Sequence, residues 1–121
     1  MKKILLVDDH ADIRRLMRIT LGQAYDIFEA DDGVKGLAAV HAERPDLVLL
    51  DIMMPGELDG LQVLDAIRAD PSFAETRVIL VSAKGQALDR EAGMQRGATA
   101  YFVKPFSPLE LKALIAELVG K

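Results

Sequence analysis

The sequence predicts an α/β fold, a three-layer sandwich in which five parallel strands alternate with five helices. Three apolar runs carry the prediction first: Ile4–Val7, Leu47–Leu50 and Val78–Val81 have the unbroken hydrophobic character of strands buried on both faces. Between them lie segments with apolar residues at helical spacing, so strand-like and helix-like stretches alternate five times. The third observation is where the runs stop. They end in Asp8-Asp9, Asp51 and Ser82, and a fourth short run, Tyr101–Val103, ends in Lys104-Pro105. The carboxyl ends of parallel strands share one sheet edge, so three carboxylates, a hydroxyl and an ammonium are expected to converge there.

Each element has its own signal. After the first strand, Ile13, Leu16, Met17, Thr20 and Leu21 mark a helix face, and Gly22 closes the segment. Tyr25 to Ala30 reads as a strand, but Asp26 and Glu29 interrupt it, which suits an edge position. Val34, Leu37, Ala38 and His41 predict a second helix face, which Pro45 ends before the strand at Leu47. A loop, residues 53–60, precedes a third helix with Leu61, Leu64 and Ile67 on one side, stopped by Asp70-Pro71. After the Val78 strand, Ala87 to Arg96 reads as a weakly amphipathic helix. Gly93 inside it costs roughly 1 kcal/mol relative to Ala, so this helix is expected to be mobile. Ser107, Pro108 and Glu110 supply an N-cap, a first-turn proline and an acid three residues after the cap, and Leu111, Leu114, Ile115 and Leu118 form the stripe of the last helix. Only the second strand is polar, which favours the flavodoxin-like order 2-1-3-4-5. Its switch point, where ligands bind, lies between the strands ending in Asp8-Asp9 and Asp51.

Composition narrows the class. The 121 residues suffice for one domain spanning residues 1–121, with no repeats or linkers. Half are hydrophobic and 28% charged, which excludes disorder. The apolar runs are far shorter than the ~20 residues of a membrane span, and the N-terminus lacks a signal-peptide core, so no membrane association is expected. The absence of cysteine agrees with a reducing cytoplasm and excludes a thiolate metal site. A net charge of −4 without a basic block argues against nucleic-acid binding by this domain.

Three carboxylates in one crevice repel one another, at a cost of about 4 kcal/mol for a close pair at an effective dielectric of about 20. A divalent cation relieves that repulsion. With oxygen ligands and no His or Cys expected nearby, Mg²⁺ is the natural choice and Mn²⁺ the alternative. Cation, Lys104 and Ser82 together make a cradle for a phosphoryl group, and one carboxylate can act as nucleophile to form an acyl phosphate. Taken singly, each residue has an ordinary reading. Asp8 and Asp9 suit a helix cap, Asp51 a turn, Ser82 a loop, Lys104 a solvated surface and Tyr101 core or edge packing; His10 and His41 read as surface or half-buried residues rather than ligands. Those readings do not account for convergence at one edge.

The joint pattern, an acid pair after the first strand, Asp51-x-Met53-Met54-Pro55-Gly56 after the third, Ser82-Ala83 after the fourth and Lys104-Pro105-Phe106 after the fifth, resembles response-regulator receiver domains over essentially the whole chain. The resemblance implies phosphorelay signalling: Asp51 accepts a phosphoryl group from the phosphohistidine of a sensor histidine kinase or phosphotransfer protein. Asp9, Asp51 and the Met53 carbonyl would ligate Mg²⁺, with Asp8 acting through water. Lys104 would contact the phosphoryl oxygen across a cis Lys104–Pro105 bond. Ser82 and Tyr101 would be the switch pair: Ser82 moves toward the phosphate, Tyr101 turns inward, and the surface of the fourth helix, fifth strand and fifth helix changes shape. Such a domain is a switch that modifies itself rather than an enzyme. It acts on an output protein or domain that the sequence does not name, as a monomer or a phosphorylation-promoted dimer, either standing alone or as part of a larger regulator or hybrid kinase.

Two departures from the family pattern stand out. Three residues rather than two separate Pro55 from Asp59-Gly60, which is expected to reshape the rim of the site without touching the acids. Met53 and Lys84 occupy the positions where the family tunes phosphoryl lifetime, and Met53 orients water poorly, which predicts slow self-dephosphorylation. Other classes fit less well. A phosphohydrolase of the haloacid-dehalogenase type would want Asp-x-Asp after the first strand, a P-loop is absent, and a flavin carrier would want a hydroxyl-rich loop where His10-Ala11-Asp12 stands. A phosphorylation-independent interaction module would not need Asp8, Asp9, Asp51, Ser82 and Lys104 together.

Overall fold

A computed structural model describes residues 1–83 and 87–120. Strands β1 (Lys3–Val7), β2 (Asp26–Ala30), β3 (Leu47–Asp51), β4 (Arg77–Ala83) and β5 (Ala100–Lys104) alternate with helices α1 (Ala11–Leu21), α2 (Gly33–Glu43), α3 (Gly60–Ala69), α4 (Ala87–Gln95) and α5 (Pro108–Val119), with a 3-10 turn at Pro71–Phe73. The strands pair in parallel in the predicted order β2-β1-β3-β4-β5. β2, the polar strand, lies at an edge, while every residue of β3 is buried.

Alternation along the strands divides the core into two layers. Leu5, Val7, Val48, Leu50, Val78 and Leu80 face one side, where Val40 of α2 and Val63, Leu64 and Ile67 of α3 cover them. Ile4, Leu6, Leu47, Leu49, Ile79 and Val81 face the other, covered by Met17 and Leu21 of α1 and Leu111 and Ile115 of α5. Burying a Leu or Ile side chain contributes about 1.5–3 kcal/mol, so the central strands anchor the fold and hold their C-terminal ends in fixed register.

The helices correct several details of the sequence reading. Helix α2 does not bury Val34, Ala38 and His41; its buried face runs through Gly33, Gly36 and Val40, and Val34 is exposed. Glycine gives no hydrophobic signal, yet it lets the helix lie close against the sheet: a Cβ on Gly36 would meet Val7 Cγ1 at 2.8 Å. On α1, Leu16 is exposed while Met17 and Leu21 are buried. Gly93 of α4 is likewise a packing residue, because a Cβ there would collide with Leu80. The start of α5 is as expected, with Ser107 accepting from Glu110 N–H at 3.2 Å. The reciprocal capping box belongs instead to α3: Asp59 accepts from Gln62 N–H and the Gln62 side chain accepts from Asp59 N–H, both at 2.9 Å. That cap anchors the long loop. Pro55, Gly56 and Glu57 form an exposed crest, with Gly56 at φ +101°, while Met54 is buried and Leu58 packs on the core.

Candidate functional site

Register assembles the site. β1 pairs with β3 from Ile4↔Leu47 to Val7↔Leu50, so Asp8, one step beyond, comes level with Asp51. β4 lies on the other side of β3 with Val81 opposite Asp51, which places Ser82 one residue further along the same edge. β5 adds Lys104, opposite Ala83. Asp8, Asp51 and Ser82 are all buried.

Lys104 is the centre of the cluster. Its Nζ donates to Asp8 Oδ2 at 3.0 Å and to Asp51 Oδ2 at 3.1 Å, so one ammonium joins carboxylates from two strand ends. The other Asp51 oxygen, Oδ1, accepts from Met53 N–H at 3.3 Å. Burial, then the neighbouring Asp8 charge, push the Asp51 carboxyl up to about 6, against the pull of Lys104. Burial works to lower the Lys104 ammonium, but its hydrogen bonds and ion pairs with Asp8 and Asp51 outweigh that and raise it. The peptide bond that turns the chain after Lys104 is cis, as the resemblance implied.

Two further residues border the site: His10, exposed as the sequence reading had it, and Arg14, which that reading passed over. A histidine was not expected near the carboxylates, yet His10 Nδ1 stands 3.0 Å from Asp8 Oδ1 and 3.2 Å from Asp9 Oδ1. The hydrogen bond with Asp8, and next the charge of Asp9, raise its pKa. The cause is local: His10 N–H donates to Asp8 Oδ1 at 2.8 Å, an Asp-turn that folds His10 back over the pocket. Arg14 is the second. Its Nη1 donates to the Asp8 carbonyl at 2.6 Å while Nε donates to Glu29 at 3.0 Å, and Arg18 holds the other Glu29 oxygen at 2.8 Å. Burial works to raise the Glu29 carboxyl, but Arg18 and Arg14 lower it overall. An acid in strand two followed back to arginines in helix one was a legible signal, read only as the mark of an edge strand. His41, in contrast, is remote from the acids and packs edge-on against Phe73 with ring centroids 5.2 Å apart.

Ser82 and Tyr101 meet directly, Oγ to hydroxyl, and Arg90 lies 6.0 Å from the centre of the Tyr101 ring. Tyr101 is half-buried and reaches Ser82 across the β4–β5 seam. Lys84 lies outside the described residues.

The donors suit a hard divalent ion. One ligand atom from each of Asp8, Asp9, His10 and Asp51 lies within 4.8 Å of the others. Asp9 Oδ1 is buried and accepts no hydrogen bond among the described residues. His10 Nδ1 faces that oxygen at 3.2 Å, and a bound cation would offset the mutual repulsion of the clustered carboxylates. Mg²⁺ fits this set through Asp8, Asp9 and Asp51.

Comparison with known proteins agrees with the geometry. The family model for the response regulator receiver domain matches residues 4–116. The "Probable transcriptional regulator ycf27" of Guillardia theta is 44% identical over 121 residues, covering 99% of this chain and 46% of that protein. The DNA-binding response regulator MtrA of Mycolicibacterium paratuberculosis is 39% identical over 115 residues, covering 94% of this chain and 49% of that protein. The chain therefore spans about half the length of the curated relatives it matches. Among solved structures, the Vibrio cholerae chemotaxis protein CheY4 superposes with a TM-score of 0.88 at 29% identity, covering 98% of both chains. The receiver domain of Francisella response regulator 1452 gives a TM-score of 0.88 at 29% identity, covering 98% of this chain and 97% of that one.

Proposed function

Because the chain belongs to the response-regulator receiver family of two-component signalling, we propose that it is a phosphoryl-accepting switch with Asp51 as the acceptor. The observation that supports this reading is the convergence of Lys104 on Asp8 and Asp51, one ammonium between carboxylates from two strand ends, which is the arrangement a phosphoryl-accepting carboxylate needs. An Asp51 carboxylate oxygen attacks the phosphorus of a donor phosphohistidine. A P–O bond forms as the P–N bond breaks, and the electron pair leaves on the imidazole of the donor. Met53 N–H orients the acceptor through Oδ1. The incoming phosphoryl group takes over the Lys104 ammonium that Asp51 now holds. Mg²⁺, held by Asp8, Asp9 and Asp51, would supply charge neutralisation of the phosphoryl oxygens. The donor is a sensor histidine kinase or phosphotransfer protein, and the receiver acts on an output protein or domain without itself contacting nucleic acid.

Signal leaves the site through Ser82. A hydroxyl can donate one hydrogen bond while accepting another. Tyr101 therefore donates to Ser82 Oγ while the Ser82 proton turns to the phosphoryl oxygen, and the inward Tyr101 is favoured when the phosphate is present. The phosphate shifts an existing equilibrium by its differential affinity for that arrangement. The readout is the α4–β5–α5 surface.

The test is intact mass after incubation with acetyl phosphate, with and without Mg²⁺, beside Asp51→Asn. One added phosphoryl group that requires both Mg²⁺ and Asp51 is the expected result. No modification under any condition would leave the interaction-module reading in its place.

A further inference from the structure

The acid pair follows the last residue of β1, and a side chain holds the backbone there. Asp8 N–H still donates to the Ala30 carbonyl of β2 at 3.1 Å, in the manner of the ladder. β2 stops at Ala30, so the next ladder position lies beyond the strand. Arg14, in the first turn of α1, takes the Asp8 carbonyl instead, with Nη1 donating at 2.6 Å. Register sets Glu29 opposite Leu6, whose side chain lies in the layer covered by α1, so Glu29 presents its carboxylate to that helix. There its Oε1 accepts from Arg14 Nε at 3.0 Å and its Oε2 from Arg18 at 2.8 Å. Arg14 is only 17% exposed, so its bonds are charge-assisted and poorly screened. Behind the acids, Asp8, Arg14, Met17 and Asp51 line a small void, so close packing does not pin the loop from that side.

We propose that Arg14, aimed by Glu29, is the positioning residue of the acid pair: it fixes the peptide between Asp8 and Asp9, and through it both carboxylates, opposite Asp51. The inference rests on the phosphoryl-accepting reading and adds the part that holds its acids in place. The Asp8 carbonyl belongs to the peptide that carries Asp9, so one bond sets the aim of two side chains. The Asp8 carboxylate in turn holds the Lys104 ammonium at 3.0 Å and the His10 N–H at 2.8 Å. A guanidinium suits this task because its planar fork reaches the carbonyl and Glu29 at once; an ammonium keeps the charge without the fork. Arg18 shares Glu29, but its other bond goes to the Ile27 carbonyl at 3.3 Å and not to the acid loop. It carries the same charge without the positioning contact.

The test has two readouts on the full chain: the Asp9 and His10 amide resonances of the metal-free protein, and the Mg²⁺ concentration that half-saturates phosphorylation by acetyl phosphate. The wild type is compared with Arg14→Met, Arg14→Lys, Glu29→Gln, Glu29→Ala and Arg18→Met, and urea unfolding follows the folding of each separately. Arg14→Met is expected to move both amides and to raise the half-saturating Mg²⁺ about tenfold, while the rate at saturating Mg²⁺ stays within about twofold. Arg14→Lys is expected not to restore either readout. Glu29→Gln, whose side-chain oxygen still accepts from Nε, is expected to stay near the wild type, and Glu29→Ala to follow Arg14→Met. Arg18→Met is expected to change neither readout. Unmoved amides with an unchanged Mg²⁺ requirement in Arg14→Met, whatever its stability, would overturn the proposal, as would full rescue by Arg14→Lys or an equal effect of Arg18→Met. Glu29→Ala at wild-type values would overturn the part given to Glu29. If the wild type takes up no phosphoryl group, the phosphoryl-accepting reading fails, and the amides alone decide whether Arg14 positions the acid pair.

Discussion

At the scale of single residues the site is a balance of charge and burial. Asp51 is buried beside Asp8, and its carboxyl is pushed up to about 6 from an unfolded value near 3.8. The folded chain therefore binds this proton more tightly than the unfolded chain, and stability contributed here falls as pH rises between about 3.8 and about 6. Above that window the ionised Asp51 costs the metal-free protein on the order of 3 kcal/mol. Urea unfolding in chelator at pH 8 is expected to find Asp51→Asn more stable than the wild type by about 2–3 kcal/mol. The gap should vanish near pH 4 and narrow when Mg²⁺ is restored to the wild type. A gap that widens on acidification would contradict this balance. Met53, exposed beside the acceptor, is the second lever. Met53→Asn is expected to speed decay of the aspartyl phosphate, followed by mass spectrometry after the donor is removed; an unchanged decay rate would dismiss Met53 as the cause of a long lifetime. The acids, Ser82 and Lys104 were legible as polar ends of apolar runs. His10 was not, because its place depends on a two-residue turn around Asp8 rather than on any pattern of residue types.

At the scale of elements, glycines decide how closely helices approach the sheet. Gly60 opens α3 directly beneath the acceptor: its N–H donates to the Ile52 carbonyl at 2.9 Å, and a Cβ would meet Ile52 Cα at 2.6 Å and press on the Asp51 carbonyl. Backbone cannot yield as a flexible side chain can, so Gly60→Ala is expected to cost about 2–3 kcal/mol in urea unfolding and to slow phosphorylation by acetyl phosphate. A variant as stable and as fast as the wild type would show that the strand end has slack. The cap of the same helix offers a milder comparison: Asp59→Ala removes the side-chain half of the capping box, leaving the residue-59 N–H to the Gln62 side chain, and is expected to cost about 1 kcal/mol. Element order and most boundaries could be read from apolar periodicity. The face of α2 could not, since Gly33 and Gly36 bury backbone against Leu58 and Val7 and leave Val34 in solvent.

At the scale of the whole molecule, β4 and β5 connect the acidic pocket to the opposite edge of the sheet through Ser82 and Tyr101. Ser82→Ala is expected to leave Asp51 able to take up a phosphoryl group but to abolish the change in amide hydrogen exchange over β5 and α5 that phosphorylation of the wild type produces. Retention of that change would route the signal elsewhere. No helix among the described residues is long and apolar enough to cross a membrane. The sequence by itself determined the parallel sheet, its strand order and the five residues that line its carboxyl edge. Runs buried on both faces can only be central strands, and a parallel sheet puts all their ends on one side. Only the tertiary structure decided which charges touch. Lys104 bridges Asp8 and Asp51 across 96 and 53 residues of chain, Arg14 ties the acid loop to Glu29, and His10 turns onto Asp8 and Asp9. Such contacts depend on strand register and on turns a few residues long, and residue type records neither.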